Sequence, residues 1–106
     1  MRCELILAPD AGRAYRRLSA RQRGEVRDAM ERHLRFGPTK VSKSRIKRLR
    51  GVQQPQYRLR VNDIRVFYDV TESAVEILAI IPKAAAQRWL DEAGTPDDSG
   101  TGEGQG

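Results

Sequence analysis

The 106-residue chain has one cysteine, Cys3, and one histidine, His33, which excludes several kinds of site at once. A single cysteine cannot form an intramolecular disulfide, and together with one histidine it cannot supply the ligands of a structural zinc site. No apolar run approaches the roughly 20 residues that cross a bilayer, and the first residues, MRCELILAPD, reach a proline and an acid too early for a secretory signal. We therefore expect a cytoplasmic protein, held together by its core, with no metal, small-molecule cofactor or membrane partner.

Acidic residues are scarce in the middle of the chain. Between Lys40 and Arg65 there are nine basic residues and one acid, Asp63. All 20 lysines and arginines lie at or before Arg88, whereas five of the 14 acids follow Leu90. Residues 1–90, which we call the body, therefore carry a charge of +11, and residues 91–106 carry −5. Such a block of like charge repels itself unless a polyanion or an acidic protein neutralises it. Nucleic acid is the first partner to consider, and a merely soluble basic surface is the alternative.

The spacing of the apolar residues predicts one folded domain over residues 1–93 and a Gly-, Ser- and acid-rich disordered tail over residues 94–106. Ser19 is a predicted helix N-cap, and Gly37 with Pro38 is a predicted helix stop. A basic loop is expected over residues 39–50. The remaining predicted elements are a strand at 2–8, helices at 11–18 and 20–36, strands at 56–61, 64–70 and 74–81, and a short helix at 83–92.

A β-hairpin is predicted around Asn62 and Asp63, because both residues tolerate the backbone angles of a two-residue turn. This turn pairs Val61 with Ile64, Arg60 with Arg65, Leu59 with Val66, Arg58 with Phe67, and Tyr57 with Tyr68. Since side chains alternate between the faces of a strand, one face is apolar and faces the core. The opposite face carries Arg58, Arg60, Arg65 and Phe67.

Arg60 directly opposite Arg65 is a like-charge pair that disfavours the sheet by roughly several tenths of a kcal/mol. A phosphate between the two guanidinium groups would replace this repulsion with bidentate contacts, for which arginine is well shaped. The pattern therefore indicates a phosphodiester site. The alternative is that these arginines pair with the few acids of the body, such as Asp69 or Glu76 on the same face.

Three segments of the chain resemble the RelE/ParE superfamily of toxins from bacterial type II toxin–antitoxin modules. They are IKRLRG (46–51), YRLRVNDIRVFYDV (57–70) and VEILAIIPK (75–83), and the resemblance extends over residues 2–90. It implies a small α+β domain with a mostly antiparallel four-stranded sheet. Two N-terminal helices would pack on one face of this sheet, and a short C-terminal helix would follow it.

The resemblance also implies an activity, that of a ribosome-dependent mRNA endoribonuclease. In such enzymes basic residues of the sheet bind the scissile phosphate and the ribose 2′-hydroxyl attacks it, without a metal ion. By position, the expected phosphate-binding residues are Arg58, Arg60, Arg65 and Lys83, with Arg65 the first candidate. Arginine cannot act as a base, so Lys83 or Asp69 is the expected proton acceptor.

Further contacts with nucleic acid are expected around this site. Arg45, Lys47 and Arg48 are predicted to follow a phosphate backbone. Phe67 is predicted to stack on a base because it shares the arginine face, although cover by the C-terminal helix would explain it equally well. Trp89 is predicted to be a packing anchor of that helix.

Two other functions are compatible with the sequence. The second strand carries two arginines, and the C-terminal helix, KAAAQRWL, lacks the tyrosine that nucleolytic members of the superfamily often have. A ParE-like inhibitor of DNA gyrase and a non-catalytic RNA-binding module therefore remain as alternatives. For a toxin, the resemblance implies an acidic antitoxin that covers the sheet edge and the basic groove near Arg58, Arg60 and Lys83, besides the ribosome and mRNA as targets.

Overall fold

The computed structural model describes residues 2–96, which form three helices and seven strands. The helices are α1 (Pro9–Arg17), α2 (Ala20–Leu34) and α3 (Lys83–Ala93). The strands are β1 (Glu4–Leu7), β2 (Ile46–Arg48), β3 (Val52–Gln54), β4 (Tyr57–Val61), β5 (Ile64–Val70), β6 (Ala74–Pro82) and β7 (Thr95–Pro96). Five strands form one sheet in the order β1-β6-β5-β4-β2, in which only the β1–β6 pair is parallel. Strands β3 and β7 form a separate antiparallel pair.

The two N-terminal helices cover one face of the sheet, as predicted. Ser19 caps α2 through a reciprocal capping box with Gln22, which satisfies backbone N–H groups at the helix start. Helix α2 ends at Leu34, two residues earlier than predicted. It buries Val26, Met30 and Leu34 at spacings of four, so one stripe of the helix packs on the sheet. None of the helices within residues 2–96 has the length and apolar character that a membrane span requires.

The predicted hairpin is confirmed in register and in facing. Each of the five predicted residue pairs between β4 and β5 is present, from Val61 with Ile64 to Tyr57 with Tyr68. Asn62 adopts a φ of 53°, the left-handed conformation that the short turn requires. Leu59, Val66 and the other apolar residues of this face lie in the core together with residues of both helices. The hairpin therefore presents the predicted core face to α1 and α2 and the arginine face to the other side.

The expected four-stranded sheet has a fifth strand, β2, within the segment that was predicted to be a basic loop. Its only apolar residue, Ile46, is 3% exposed and pairs with Leu59. The predicted tail also begins differently, because Gly94 caps α3 and Thr95 and Pro96 pair with β3. The rest of that tail, residues 97–106, lies outside the described residues. The larger sheet matters for the site, since β2 extends the arginine face by one strand.

Candidate nucleic-acid interface

Helix α3 lies across part of the arginine face. The ring of Trp89 stacks on the ring of Phe67 with 4.8 Å between the ring centroids. Phe67 is consequently only 2% exposed. The prediction that Trp89 anchors the helix is confirmed. The prediction that Phe67 stacks on a base is wrong in this arrangement, because the helix already occupies the face of its ring.

Beside this aromatic pair lies a cavity of about 270 Å³, which we call the cationic cavity. Both apolar and basic side chains line it. Four cations line it, and no carboxylate, imidazole or phenol group of the described residues does. The lining residues are Lys47, Leu49, Arg58, Arg65, Phe67, Lys83, Ala86, Gln87 and Leu90.

Four elements bring these cations together. Lys47 of β2 pairs directly with Arg58 of β4, which pairs on its other side with Phe67 of β5. Arg65 lies two residues from Phe67 on the same face of β5. Lys83 is the first residue of α3, and its backbone N–H donates a 2.7 Å hydrogen bond to the Asp63 carbonyl of the hairpin turn. The cavity is thus fixed by regular elements on every side.

Arg58 is held in an electrostatically unfavourable position. Burial, followed by the charges of Arg65 and Arg60, lowers the pKa of its guanidinium below the usual range. Its Nε atom is buried and has no hydrogen-bond partner. A buried donor without an acceptor costs about 1–3 kcal/mol, so Arg58 is held beside the other cations at a cost to the fold.

Arg65 has a structural role in addition to its place in the cavity. It is 8% exposed, and its Nη1 atom donates hydrogen bonds to the carbonyls of Asn62 at 2.8 Å and Ile64 at 3.0 Å. These bonds fasten the hairpin turn. Burial, followed by the charge of Arg60, lowers the pKa of Arg65, and Asp63 partly opposes this effect. Arg65 therefore holds the turn with one part of its guanidinium and forms the cavity wall with another.

Arg60 does not share the cavity with its cross-strand partner. Its exposed side chain lines a second cavity of about 280 Å³, together with Arg45, Arg32 and His33. Two acids of α2, Glu25 and Asp28, line the same cavity. The prediction that Arg60 and Arg65 lie opposite one another is confirmed. Because their side chains line different cavities, these positions do not favour a phosphate held between them.

The remaining predicted site residues divide between the two faces. Arg48 lies on the opposite face, with its guanidinium carbon 5.1 Å from the centroid of the Tyr57 ring, and it donates a 2.9 Å hydrogen bond to the Gln56 carbonyl. Asp69 does not line the cationic cavity. Its carboxylate accepts hydrogen bonds from the Gln54 side chain and the Gln56 backbone N–H, both at 2.7 Å. Because the Asp69 carboxylate is used in these hydrogen bonds, Lys83 is the remaining candidate of the two predicted proton acceptors, Lys83 and Asp69.

The acids of the body do not neutralise the arginine face. Within residues 2–96 the ion pairs are those of Arg13, Arg21, Arg27 and Arg35, all with acids of α1 and α2. The described residues also contain no group of three or more His, Cys, Asp or Glu side chains placed to hold a metal ion. The four cations of the cationic cavity therefore form no ion pair with an acid of the described residues.

Sequence reasoning named Lys83 but missed the other residues that α3 contributes to this cavity. Lys83, Ala86, Gln87 and Leu90 recur at three and four residues and so share one face of the helix. The spacing was readable in the sequence, but which face of the sheet the helix would cover was not.

No family model matches the chain, and no curated protein sequence matches it either. Two solved structures are similar in fold. One is the archaeal RelE–RelB complex from Pyrococcus horikoshii OT3, with a TM-score of 0.59 and 25% identity over 78% of this chain and 97% of the matched chain. The other is the YoeB dimer from Staphylococcus aureus, with a TM-score of 0.56 and 16% identity over 76% of this chain and 97% of the matched chain. The predicted fold is confirmed: the chain has the fold of RelE and YoeB.

Proposed function

We propose that the chain is the toxin of a type II toxin–antitoxin module and acts in the cytoplasm as a ribosome-dependent mRNA endoribonuclease. Two observations support this proposal. The fold is that of RelE and YoeB. The cationic cavity brings together four cations with no carboxylate among its described lining residues, and this concentration of positive charge carries the proposal because it favours an anionic ligand.

In the proposed reaction the ribose 2′-hydroxyl attacks the adjacent phosphorus, and the bond to the 5′-oxygen of the next nucleotide breaks. The products are a 2′,3′-cyclic phosphate and a 5′-hydroxyl end. The pentacovalent phosphate carries more negative charge than the starting diester. Arg58, Arg65, Lys47 and Lys83 surround the space where that charge develops, which is the arrangement for electrostatic stabilisation of the transition state.

Two proton transfers complete this reaction. The 2′-hydroxyl gives up a proton as it attacks, and the departing 5′-oxygen takes one up. Of the groups that line the cationic cavity, only the two lysines exchange protons, since arginine stays charged. We assign acceptance of the 2′-hydroxyl proton to Lys83 in its neutral amine form, and donation of a proton to the departing 5′-oxygen to the ammonium group of Lys47.

The test is cleavage of mRNA on programmed ribosomes by the purified chain. We expect Arg58→Met to lower the cleavage rate by roughly 10²–10³-fold, the effect of removing one transition-state donor. Lys83→Met should lower it as well, and Lys83→Arg should not restore it, because arginine keeps the charge but cannot accept the proton. Arg21→Met is the matched control, since its side chain is 88% exposed on α2. Equal cleavage by the Arg58 variant and the wild type would refute the proposed site.

A second candidate function is a gyrase-directed toxin with the same fold. One observation favours it: among the described residues that line the cationic cavity, none carries a carboxylate, imidazole or phenol group. Induced expression separates the candidates. A nuclease gives breaks within translated mRNA, a gyrase inhibitor gives a DNA-damage response with intact mRNA, and an RNA-binding module without toxic activity gives neither.

The proposed partner that keeps such a toxin inactive is an antitoxin. One of the similar structures is a RelE–RelB complex. A body charge of +11 makes an acidic protein the natural blocker of the cationic cavity. We expect this antitoxin to cover Arg58 and Lys83, and phosphate and antitoxin should then compete for the purified toxin.

A further inference from the structure

Another surface, which shares no lining residue with the cationic cavity, combines exposed apolar groups with positive charge. Phe36 is 69% exposed and Val41 is 57% exposed, the two largest values among the exposed large hydrophobic residues of the described chain. Both lie in the connection between α2 and β2 and line a cavity of about 410 Å³ that has the buried Ile46 at its base. We call this surface the apolar patch. Large apolar groups exposed together and rimmed by polar groups mark interaction sites.

The rim of the apolar patch is basic. Arg32, Lys40 and Arg45 line the same cavity, and no acid of the described residues does. The positive field is also evident at His33, whose pKa is lowered by burial and then by the charges of Arg45 and Arg32. A complementary ligand therefore carries apolar groups at its centre and negative charge at its edge.

These features distinguish between the possible occupants of the apolar patch. A second copy of this chain would bring two basic rims together, which is a repulsive arrangement. A nucleic acid would match the charge and could stack on Phe36, but Val41 and Ile46 offer no aromatic surface to a base. An acidic protein segment with apolar side chains matches both the basic rim and the aliphatic groups of the cavity.

We infer that the apolar patch is the anchoring site of an acidic, amphipathic protein segment, which inserts two apolar side chains between Phe36, Val41 and Ile46 and pairs its carboxylates with the basic rim. In assigning this segment to the antitoxin, the inference rests on the proposed function. The apolar patch and the cationic cavity share no lining residue. The segment therefore gives the antitoxin affinity at a place where it does not compete with the substrate.

The test uses the purified chain and, as the probe, the product of the gene adjacent to its own, with affinity measured by calorimetry. The double variant Phe36→Asp with Val41→Asp puts two carboxylates on the patch. Both side chains are more than half exposed, so the fold should tolerate the change. We expect the affinity to fall by roughly 30-fold or more, as for the loss of a buried apolar anchor. Cleavage of mRNA by the free variant should stay at the wild-type rate.

The matched control is Ile6→Asp, which places a carboxylate on an exposed apolar residue that is 43% exposed. Ile6 lies on β1, at the opposite edge of the five-stranded sheet from β2. This variant should bind the probe like the wild type, and the melting temperatures of all variants establish that each is folded.

Three outcomes would overturn the inference. They are equal binding of the probe by the double variant, failure of the probe to bind the wild type, and loss of single-stranded RNA binding by the double variant with unchanged binding of the probe. The last would assign the apolar patch to nucleic acid. Each outcome is independent of the cleavage assay on ribosomes, which decides the proposed function separately.

Discussion

Replacement of Arg58 by methionine should make the protein more stable while it removes the proposed activity. Methionine keeps most of the aliphatic stem that packs beside Lys47 and Phe67, but it removes the buried Nε atom that has no hydrogen-bond partner. It also removes the repulsion among Arg58, Arg65 and Arg60 that lowers the pKa of Arg58. A residue that costs stability in the free protein and is needed for function is the mark of a binding site.

The expected gain in unfolding free energy follows from the unsatisfied Nε donor of Arg58. A buried polar group without a hydrogen-bond partner costs about 1–3 kcal/mol, and part of this is offset because the Arg58 residue as a whole is only half-buried. We therefore expect a net gain in unfolding free energy of about 1 kcal/mol. For a domain of this size such a gain raises the melting temperature by about 4–8 °C.

Thermal unfolding with and without inorganic phosphate measures both the stability of the Arg58→Met variant and its ability to bind an anion. A ligand present at ten times its Kd stabilises the folded state by about 1.4 kcal/mol. Phosphate should therefore raise the melting temperature of the wild type and leave that of Arg58→Met unchanged. High salt without phosphate controls for general screening of the basic surface.

Arg48→Met is the matched control for Arg58→Met. The Arg48 guanidinium lies over Tyr57 and donates to the Gln56 carbonyl, so its charge is already used by the fold. Its loss should lower the unfolding free energy by about 1 kcal/mol. If Arg58→Met lowered the melting temperature as Arg48→Met does, Arg58 would be a structural residue and the argument for an anion site would fail.

Three further predictions concern the fold. Gly94→Ala should destabilise the protein by about 1–3 kcal/mol in denaturant titration, because a Cβ there would lie 2.5 Å from a backbone oxygen of the last turn of α3. Gly12→Ala should instead stabilise α1 by about 0.5–1 kcal/mol, because the atom nearest to the added Cβ would lie 3.6 Å away. Tyr68→Phe should lower the unfolding free energy by about 1–3 kcal/mol, since the buried Tyr68 hydroxyl donates a 2.6 Å hydrogen bond to the Pro38 carbonyl. An unchanged unfolding free energy would mean that this bond contributes nothing to stability. The pKa of His33 is lowered by burial and by two nearby arginines, so the unfolded state binds protons more readily than the folded state. The unfolding free energy should therefore fall as the pH drops below about 6.5. His33→Gln should flatten this part of the profile of melting temperature against pH, and an identical profile would show that His33 does not cause the pH dependence.

Local sequence signals predicted the hairpin in full detail. The alternation of YRLRV and IRVFYDV fixes which residues share a face, and a two-residue turn at Asn62 and Asp63 fixes the register. The N-cap of α2 was equally readable, because Ser19 and Gln22 stand at the spacing of a capping box. In each case the determining residues are neighbours along the chain.

The parts that the sequence did not predict depend on contacts between distant segments. Strand β2 has one buried apolar residue, Ile46, and becomes a strand because the edge of β4 is there to pair with. The pairing of Thr95 with Gln54 has no local signal at all. The cover on Phe67 depends on where α3 docks, which the spacing of its apolar residues does not specify.

The side-chain directions of Arg60 and Arg65 show why strand parity alone did not give the composition of the site. Parity places both on one face, and the register places them opposite one another. The guanidinium of Arg65 turns to the carbonyls of Asn62 and Ile64, while Arg60 lines a different cavity. The charge of Arg60 still lowers the pKa of Arg65, but the fold forms without the phosphate that the pattern indicated between them. Substitution of Arg65 by alanine would loosen the turn and remove a cavity cation at once, so a loss of activity could not be assigned to either effect. Arg58 has no such second role among the described contacts, and its replacement is the one that separates binding of an anion from maintenance of the hairpin.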